Sequence, residues 1–256
     1  NSAIEMDKAL TNLLSNNMSS LILDLRDNPG GLLKSAVSIL DLFIDKGELL
    51  VWTEGKTKQS HRKYFSKNDP IVPGSVQIAV LINRGSASAS EIVAGVMQDL
   101  DRGVVVGRQS FGKGLVQTIY NLDKEKSLKV TTAKYYIPSG RLIQKPGYLP
   151  DGLLANSTKS ADTLFETTGG RRVDGGGGIT PDHVIAMDPA TPILSASWRR
   201  GLFFTYVQKH KHLYDSFSDV VSDRTLMDQF EDFVYSNDLD ILLGMHGLPG
   251  LDRDER

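Results

Sequence analysis

Apolar residues in the first 137 positions follow two spacings, one typical of helices and one typical of strands. Residues 3–16 and 86–100 repeat an apolar side chain every three or four positions, which predicts two amphipathic helices. Residues 20–26 and 76–82 are apolar runs that end in turn-forming residues, which predicts buried strands. The same reasoning predicts a helix at 32–44 and strands at 48–53, 104–106, 116–120 and 128–137. This alternation indicates the α/β fold class.

Two segments interrupt this pattern. Residues 54–75 are polar and contain two prolines, which predicts an excursion over the surface. Residues 138–190 hold further prolines, stretches rich in serine and threonine, and a glycine run at 175–178. That composition predicts a long loop with few contacts of its own.

The C-terminal part returns to helical spacing. Residues 192–215 and 225–243 place aromatic and aliphatic side chains on one side of a helix. We therefore predict a core at residues 1–190 and a C-terminal helical extension at residues 191–256.

Composition narrows the function classes. The net charge of -2 gives no electrostatic basis for binding nucleic acid or an anionic membrane. The chain has no cysteine, which excludes thiol catalysis, disulfide bonds and cysteine-bound metals. No apolar run reaches the ~18 residues of a membrane span. Histidine, aspartate and glutamate residues show no metal-ligand spacing, so we predict no metal and no other cofactor.

A candidate nucleophile, Ser88, lies in a segment that follows a predicted strand and opens a predicted helix. Backbone N–H groups are unpaired at a helix start and the helix dipole favours negative charge, which helps an oxyanion form beside a serine. Ser88 and Glu91 also have the spacing of a capping box, in which the serine caps the helix and the glutamate reaches back. From this segment alone both roles stay open, and Ser86 and Ser90 can share them.

A nucleophilic serine needs a base, and Lys113 is the candidate. None of the five histidines lies in a motif at a strand end. Gly112 and Gly114 flank Lys113 within an apolar stretch, where desolvation favours the neutral amine; the alternative is an exposed lysine in a hairpin turn. Gln117 would adjoin Lys113 in a helical turn, but it would lie ~13 Å away in an extended strand.

A third segment, residues 24–31, ends a predicted strand in Asn-Pro-Gly-Gly just before a predicted helix. Its bare backbone N–H groups suit an oxyanion hole or the docking of a peptide backbone. A tight turn from strand to helix is an equally good interpretation. Asp24 and Asp27 fit turn capping better than metal binding. The glycine run at 175–178 lacks the Gly-Lys-Ser/Thr ending of a phosphate loop.

Together these segments resemble the C-terminal processing proteases, also called tail-specific proteases. The resemblance covers about residues 5–185 and is carried by five motifs in order: DLRDNPGG, VLINRGSASASEIVAGVMQD, VVVGRQSFGKGLVQ, AKYYIPSGRLIQ and DGGGGITPD. It implies a crotonase/ClpP-like α/β protease core, which the C-terminal helical extension follows.

The resemblance also implies the site. The family's nucleophile falls on Ser88, its general base on Lys113 and its supporting amide on Gln117. The oxyanion donors fall on the backbone N–H groups of Gly31 and Ala89. No metal or organic cofactor is implied.

The implied activity is endoproteolytic cleavage near the C-termini of exported proteins, which bind in an extended form. The implied location is the bacterial periplasm or cell envelope, or the thylakoid lumen of plants and algae. Members usually carry a PDZ domain ahead of this core, and we find none here. The extension can dock on the core, mediate self-association or hold an adaptor, and the sequence does not rank these roles.

Two other function classes compete with this interpretation. A catalytically silent relative would bind peptides without cleaving them, but it has no need for both Ser88 and Lys113. An acyl-CoA enzyme of the crotonase type would share the implied fold, but a Ser–Lys–Gln set gives it little support.

Overall fold

The computed structural model describes residues 2–146, 164–186 and 191–237, which fall into two units, Asn1–Ala186 and Met187–Arg256. The helices of the first unit are α1 (Ser2–Ser15), α2 (Leu33–Leu40) and α3 (Ala89–Asp99). Its strands are β1 (Ser20–Asp24), β2 (Leu49–Gly55), β3 (Arg62–Phe65), β4 (Gln77–Ile82), β5 (Val104–Gly107), β6 (Leu115–Asn121), β7 (Ser127–Tyr136), β8 (Phe165–Glu166), β9 (Arg172–Val173) and β10 (His183–Val184).

A parallel sheet with the strand order β1-β4-β5-β10 contains the buried apolar runs that the sequence predicted as strands. Ser20 of β1 is in register with Gln77 of β4, and Ala79 of β4 is in register with Val104 of β5. Parallel strands end on the same side of their sheet, so the loops after β1, β4 and β5 meet at one edge. The α/β prediction is confirmed.

A second, antiparallel sheet has the strand order β3-β2-β7-β6. The prediction of a surface excursion at residues 54–75 missed β3, which pairs with β2. Arg62, Lys63 and Phe65 of this edge strand are exposed, so β3 lacks the apolar alternation that marks a half-buried strand.

Helix α3 contacts β4 and β5 of the parallel sheet and β2 of the antiparallel sheet. All eleven of its residues are buried. Gly95 allows a close approach, because a Cβ atom there would lie 2.6 Å from Ile137 Cδ1 and 2.8 Å from Ile179 Cδ1. The sequence predicted an apolar stripe on this helix, but burial on every side also encloses Glu91, Gln98 and Asp99.

The segment after β7 is more tightly held than its sequence suggested. Gly178 donates a backbone hydrogen bond of 2.9 Å to Ile143, and Lys145 donates one of 3.0 Å to Gly112. The prediction of few contacts at residues 138–190 is therefore wrong for its described part; residues 147–163 and 187–190 lie outside the described residues. These contacts are made by backbone groups and buried polar side chains. Such contacts produce no periodic pattern of apolar residues in the sequence.

A buried ion pair joins the end of α3 to this segment. Arg141 Nη2 lies 2.7 Å from Asp99 Oδ1, and the two side chains are 1% and 0% exposed. Arg141 also donates to Gln98 Oε1 at 2.6 Å and to the Asp174 carbonyl at 2.9 Å, while Ser139 N–H donates to Asp99 Oδ2 at 2.9 Å. Burial raises the pKa of Asp99 and lowers that of Arg141, and the attraction between them opposes both changes.

The second unit is helical, with α4 (Pro192–Arg199), α5 (Leu202–His210), α6 (Phe217–Ser222) and α7 (Leu226–Tyr235). Its buried core consists of Ala196, Leu202 and Val234, with Phe230 and Phe233 packed against it. The helical predictions are confirmed by α4, α5 and α7, whereas α6 was missed and residues 238–243 lie outside the described residues. The prediction of residues 1–190 and 191–256 as separate domains stays a prediction.

We predict that Arg141→Met lowers the free energy of unfolding by about 3–5 kcal/mol, because it leaves the Asp99 carboxylate buried without its counter-charge. Urea unfolding of the purified chain measures this. Arg26→Met is the matched control, since Arg26 pairs with Asp24 on the surface, where their side chains are 56% and 46% exposed. Arg26→Met should lower the free energy of unfolding by less than about 1 kcal/mol. Equal losses in the two variants would contradict the prediction.

Candidate active site

The three segments singled out in the sequence occupy the three loops at the carboxyl ends of β1, β4 and β5. Residues 25–31 follow β1, residues 83–88 follow β4, and residues 108–114 follow β5. Since these strands are neighbours in one parallel sheet, the loops lie side by side at its edge. The fold thus brings together motifs that are separated by about eighty positions in the chain.

Hydrogen bonds tie the three loops to one another. Ala87 N–H donates to the Asn28 carbonyl at 3.0 Å, and Ser86 Oγ donates to the Leu25 carbonyl at 2.6 Å, which links the first loop to the second. Phe111 N–H donates to the Ser86 carbonyl at 2.9 Å, which links the second loop to the third. Ser86 is fully buried and has a structural role.

Ser88 is the N-cap residue of α3 and has φ 56° and ψ −115°. A positive φ is rare for a residue other than glycine and costs about 1–3 kcal/mol unless its surroundings enforce it. Ser88 N–H donates to Glu91 Oε2 at 2.7 Å, as the glutamate of a capping box requires. A strained turn from strand to helix is also the geometry that presents a nucleophilic serine in other hydrolases. The capping and nucleophile interpretations are therefore compatible.

The carboxylate of Glu91 is fully buried and binds groups from two of the three loops. Oε1 accepts from Ser110 Oγ at 2.5 Å and from Gly112 N–H at 2.7 Å. Oε2 accepts from Ser88 N–H at 2.7 Å and from Lys113 N–H at 2.9 Å. One oxygen atom thus holds the backbone of both the candidate nucleophile and the candidate base. Sequence reasoning assigned Glu91 only to the capping box and missed this role.

Lys113 is half-buried in the loop between β5 and β6, not in a hairpin turn. Besides the bond from its N–H to Glu91, its carbonyl accepts a hydrogen bond from the Tyr135 hydroxyl. The next peptide is held as well, because Gly114 N–H donates to the buried Gln144 Oε1 at 2.9 Å. Three side chains from three elements therefore fix the backbone on either side of Lys113. Tyr135 and Gln144 lie in the fourth motif, but no pattern in the sequence indicates these contacts.

The glycines beside Lys113 allow the close packing that the sequence predicted. Gly112 has φ +88°, and a Cβ atom on it would lie 2.9 Å from Lys145 Cβ. A Cβ atom on Gly114 would lie 2.6 Å from the Gln144 backbone nitrogen. Larger residues at either position would push the loop away from the segment after β7.

The turn after β1 lies directly against the start of α3. Gly30 has φ +85°, and a Cβ atom there would lie 2.4 Å from the Ala87 carbonyl oxygen and 2.6 Å from the Ala89 nitrogen. Gly31, by contrast, has nothing within 4 Å of its Cβ position. Within the described part of the chain, neither Gly31 N–H nor Ala89 N–H donates a hydrogen bond. Gly31 lies in the turn after β1 and Ala89 is the first residue of α3, directly after Ser88.

Gln117 lies in β6, opposite Thr131 of β7, and is exposed. Its extended conformation rules out the helical turn that would have placed it beside Lys113. Lys113 lies in the loop two residues before β6 begins, so the two residues do not share one strand. The structure brings together the segments of Ser88, Lys113, Gly31 and Ala89, while Gln117 makes no hydrogen bond to another described side chain.

We predict that Glu91→Gln lowers the free energy of unfolding by about 2–4 kcal/mol. In either orientation of the amide, its NH₂ group replaces a carboxylate oxygen that accepts two hydrogen bonds. The NH₂ group cannot accept them, so buried donors lose their acceptor. Chemical denaturation measures the loss. Glu125→Gln, at the exposed turn between β6 and β7, is the control and should change stability by less than about 0.5 kcal/mol. A Glu91→Gln variant as stable as this control would show that the carboxylate is not the link between the loops.

A second prediction compares the adjacent glycines. Gly30→Ala should lower the free energy of unfolding by at least about 2 kcal/mol, because it combines an unfavourable φ with contact against backbone atoms. Gly31→Ala, where the added methyl group meets nothing, should change it by less than about 0.5 kcal/mol. Thermal or urea unfolding separates the two, and a reversed order would contradict the described turn.

Comparison with known proteins places the chain in a family. The model of peptidase family S41 matches residues 1–153. A carboxy-terminal-processing protease of Bartonella bacilliformis is 49% identical over 134 residues, which is 52% of this chain and 30% of that protein. A chloroplastic C-terminal processing peptidase of Tetradesmus obliquus is 36% identical over 151 residues, which is 59% of this chain and 32% of that protein.

A solved structure gives the same result. The photosystem II D1 C-terminal processing protease superposes with a TM-score of 0.53 and 29% identity, over 72% of this chain and 39% of that one. The chain spans about a third of the length of the curated relatives it matches. With more than half of its residues matched by the family model, the chain belongs to peptidase family S41.

Proposed function

We propose that this chain is the catalytic core of a serine endopeptidase in which Ser88 is the nucleophile and Lys113 the general base. The observation that carries the proposal is the shared carboxylate oxygen: Glu91 Oε2 accepts from the backbone N–H of both residues. Two segments that lie 25 positions apart in the chain are thereby held at a fixed separation. Family membership supports the same reaction class.

The chemistry follows from these groups. Neutral Lys113 takes the proton of the Ser88 hydroxyl as the oxygen attacks a peptide carbonyl. The N–H groups of Gly31 and Ala89 stabilise the oxyanion, aided by the N-terminus of α3. Lys113 then protonates the departing amine. Water hydrolyses the acyl-enzyme with Lys113 again as base, so the cycle needs no metal or organic cofactor.

The supporting amide is proposed to be Gln117. The resemblance to C-terminal processing proteases supports this role. In the structure Gln117 is exposed in β6, the strand that begins two residues after Lys113. The proposed contact is between the Lys113 amine and the side-chain amide of Gln117.

We also propose that the core has the crotonase/ClpP-like form of the α/β class. Its parallel sheet, with α3 packed between that sheet and the antiparallel one, supports the assignment. Functional groups at the carboxyl edge of the parallel strands are expected of such a core.

The proposed substrates are extended or unfolded C-terminal segments of exported proteins. The names of the relatives, a carboxy-terminal-processing protease from a bacterium and a C-terminal processing peptidase from a chloroplast, support this class. A bacterial periplasmic or cell-envelope location is proposed together with this substrate class, since the first of these relatives is bacterial. None of the described helices is long and apolar enough to span a membrane.

Self-association, or binding of an adaptor, is proposed for the second unit. Its described helices carry several large apolar side chains that are exposed, which is a common property of protein-binding surfaces. The residues concerned are Trp198, Phe204, Phe217, Val221 and Met227.

The test is cleavage of a reduced, unfolded protein by the purified chain, with products identified by mass spectrometry. We expect cleavage by the wild type and a loss of at least about 10³-fold in Ser88→Ala and in Lys113→Ala, since each removes one member of a pair that acts as a unit. Ser218→Ala and Lys209→Ala, in the second unit, are the matched controls. Circular dichroism checks that each variant is folded.

Cleavage that survives in Ser88→Ala would show that another nucleophile acts. Binding of the substrate without cleavage by the wild type would favour a silent peptide-binding protein. Loss in both site variants, with both controls active, would establish the serine–lysine pair.

A further inference from the structure

Tyr135 is a buried tyrosine that the proposed mechanism does not use. It lies in β7 and is 2% exposed, within the core of the first unit. Its N–H donates to the Gly114 carbonyl at 3.0 Å, so its backbone is fixed beside the loop that carries Lys113. The phenol ring extends from this point toward the site.

The Tyr135 hydroxyl binds the backbone of the loop that carries Lys113, because it donates a hydrogen bond to the Lys113 carbonyl. Burial raises the pKa of Tyr135 well above its usual value, the Glu91 carboxylate raises it further, and the nearby Ser88 side chain opposes the rise. The phenol is therefore a neutral hydroxyl that can donate and accept at once.

The Lys113 loop needs such restraint because glycines flank the lysine. Glycine at 112 and 114 gives the backbone more conformational freedom than any other residue would. Glu91 restrains the N–H of Lys113 and Gln144 restrains the N–H of Gly114, but the carbonyl between them is held by Tyr135. Without that bond, the peptide that follows Lys113 is held on one side only, by Gln144, and the backbone at Lys113 is less restrained.

A phenylalanine would fill the same space as the Tyr135 ring without bringing a polar group into the core. The hydroxyl is thus the part of the side chain that packing does not explain. Its hydrogen-bond partner is the backbone of Lys113, one of the two residues whose separation determines proton transfer. A misplacement of about 1 Å between reacting groups can cost 10²-fold in rate.

We propose that Tyr135 is a positioning residue of the serine–lysine site, whose hydroxyl sets the orientation of Lys113 relative to the Ser88 hydroxyl. The inference rests on the proposed function, since it concerns the same two residues. Tyr135 takes no proton in the reaction and touches no substrate in this scheme. Its effect is on the fraction of molecules in which the lysine is aligned with the serine.

The test is Tyr135→Phe, with Tyr136→Phe as the matched control. Tyr136 is adjacent in the chain and its ring stacks on Trp52 at a centroid distance of 5.3 Å. Both variants keep an aromatic ring and lose one hydroxyl. The measurements are kcat and KM for cleavage of an unfolded protein, and the rate at which a fluorophosphonate probe labels Ser88. Urea unfolding gives the folded fraction, and each rate is expressed per folded molecule.

We expect kcat and the labelling rate of Tyr135→Phe to fall about 10- to 100-fold while KM changes less than about two-fold, because alignment and not binding is lost. Tyr136→Phe should keep wild-type values. A Tyr135→Phe variant with wild-type kcat and labelling rate, whatever its stability, would overturn the inference. So would a rise in KM at constant kcat.

Failure of this inference is distinguishable from failure of the proposed function. Cleavage and labelling that depend on Ser88 but not on the Tyr135 hydroxyl would remove only the positioning role. Cleavage that persists in Ser88→Ala would remove the proposed function, and the positioning role with it.

Discussion

The candidate site depends on one buried carboxylate. An ionised glutamate is stable inside a protein only if donors replace the water it has lost. The donors available to Glu91 are a serine hydroxyl and three backbone N–H groups, and two of the latter belong to Ser88 and Lys113. The hydrogen bonds that stabilise the buried carboxylate therefore also fix the backbone of Ser88 relative to that of Lys113. The strained backbone of Ser88 is tolerated because the same carboxylate holds its N–H.

The strand order of the parallel sheet brings these donors together. The loops that follow three neighbouring parallel strands lie at one edge of the sheet. Helix α3 begins at that edge and is buried along its whole length between the two sheets. The buried pair of Arg141 and Asp99 fixes the far end of the same helix and anchors the segment that carries Gln144. Both ends of α3 are thus connected to the loop of Lys113, one through Glu91 and the other through the segment after β7.

Much of this arrangement could be predicted from the sequence. Apolar runs predicted β1 and β4, and helical spacing of apolar residues predicted α1 and α3. Turn-forming residues after the strands indicated the positions of all three loops. The partners of Glu91, the contact of Tyr135 with Lys113 and the buried ion pair could not be predicted, because polar contacts between distant residues produce no periodic pattern in the sequence. The strand predicted at 116–120 is confirmed by β6, and this strand makes the backbone at Gln117 extended.

Full burial of α3 also has a consequence for biosynthesis. The bonds that Glu91 makes to the loop at 110–113 span about twenty positions, and that loop is in turn held by residues beyond 140. A nascent chain that has emerged only as far as α3 contains Ser88, Glu91 and the turn at Gly31, but neither Lys113 nor the segment that holds its loop. Assembly of the candidate site is therefore coupled to the arrival of the segment after β7, since only then are both ends of α3 connected to the loop of Lys113.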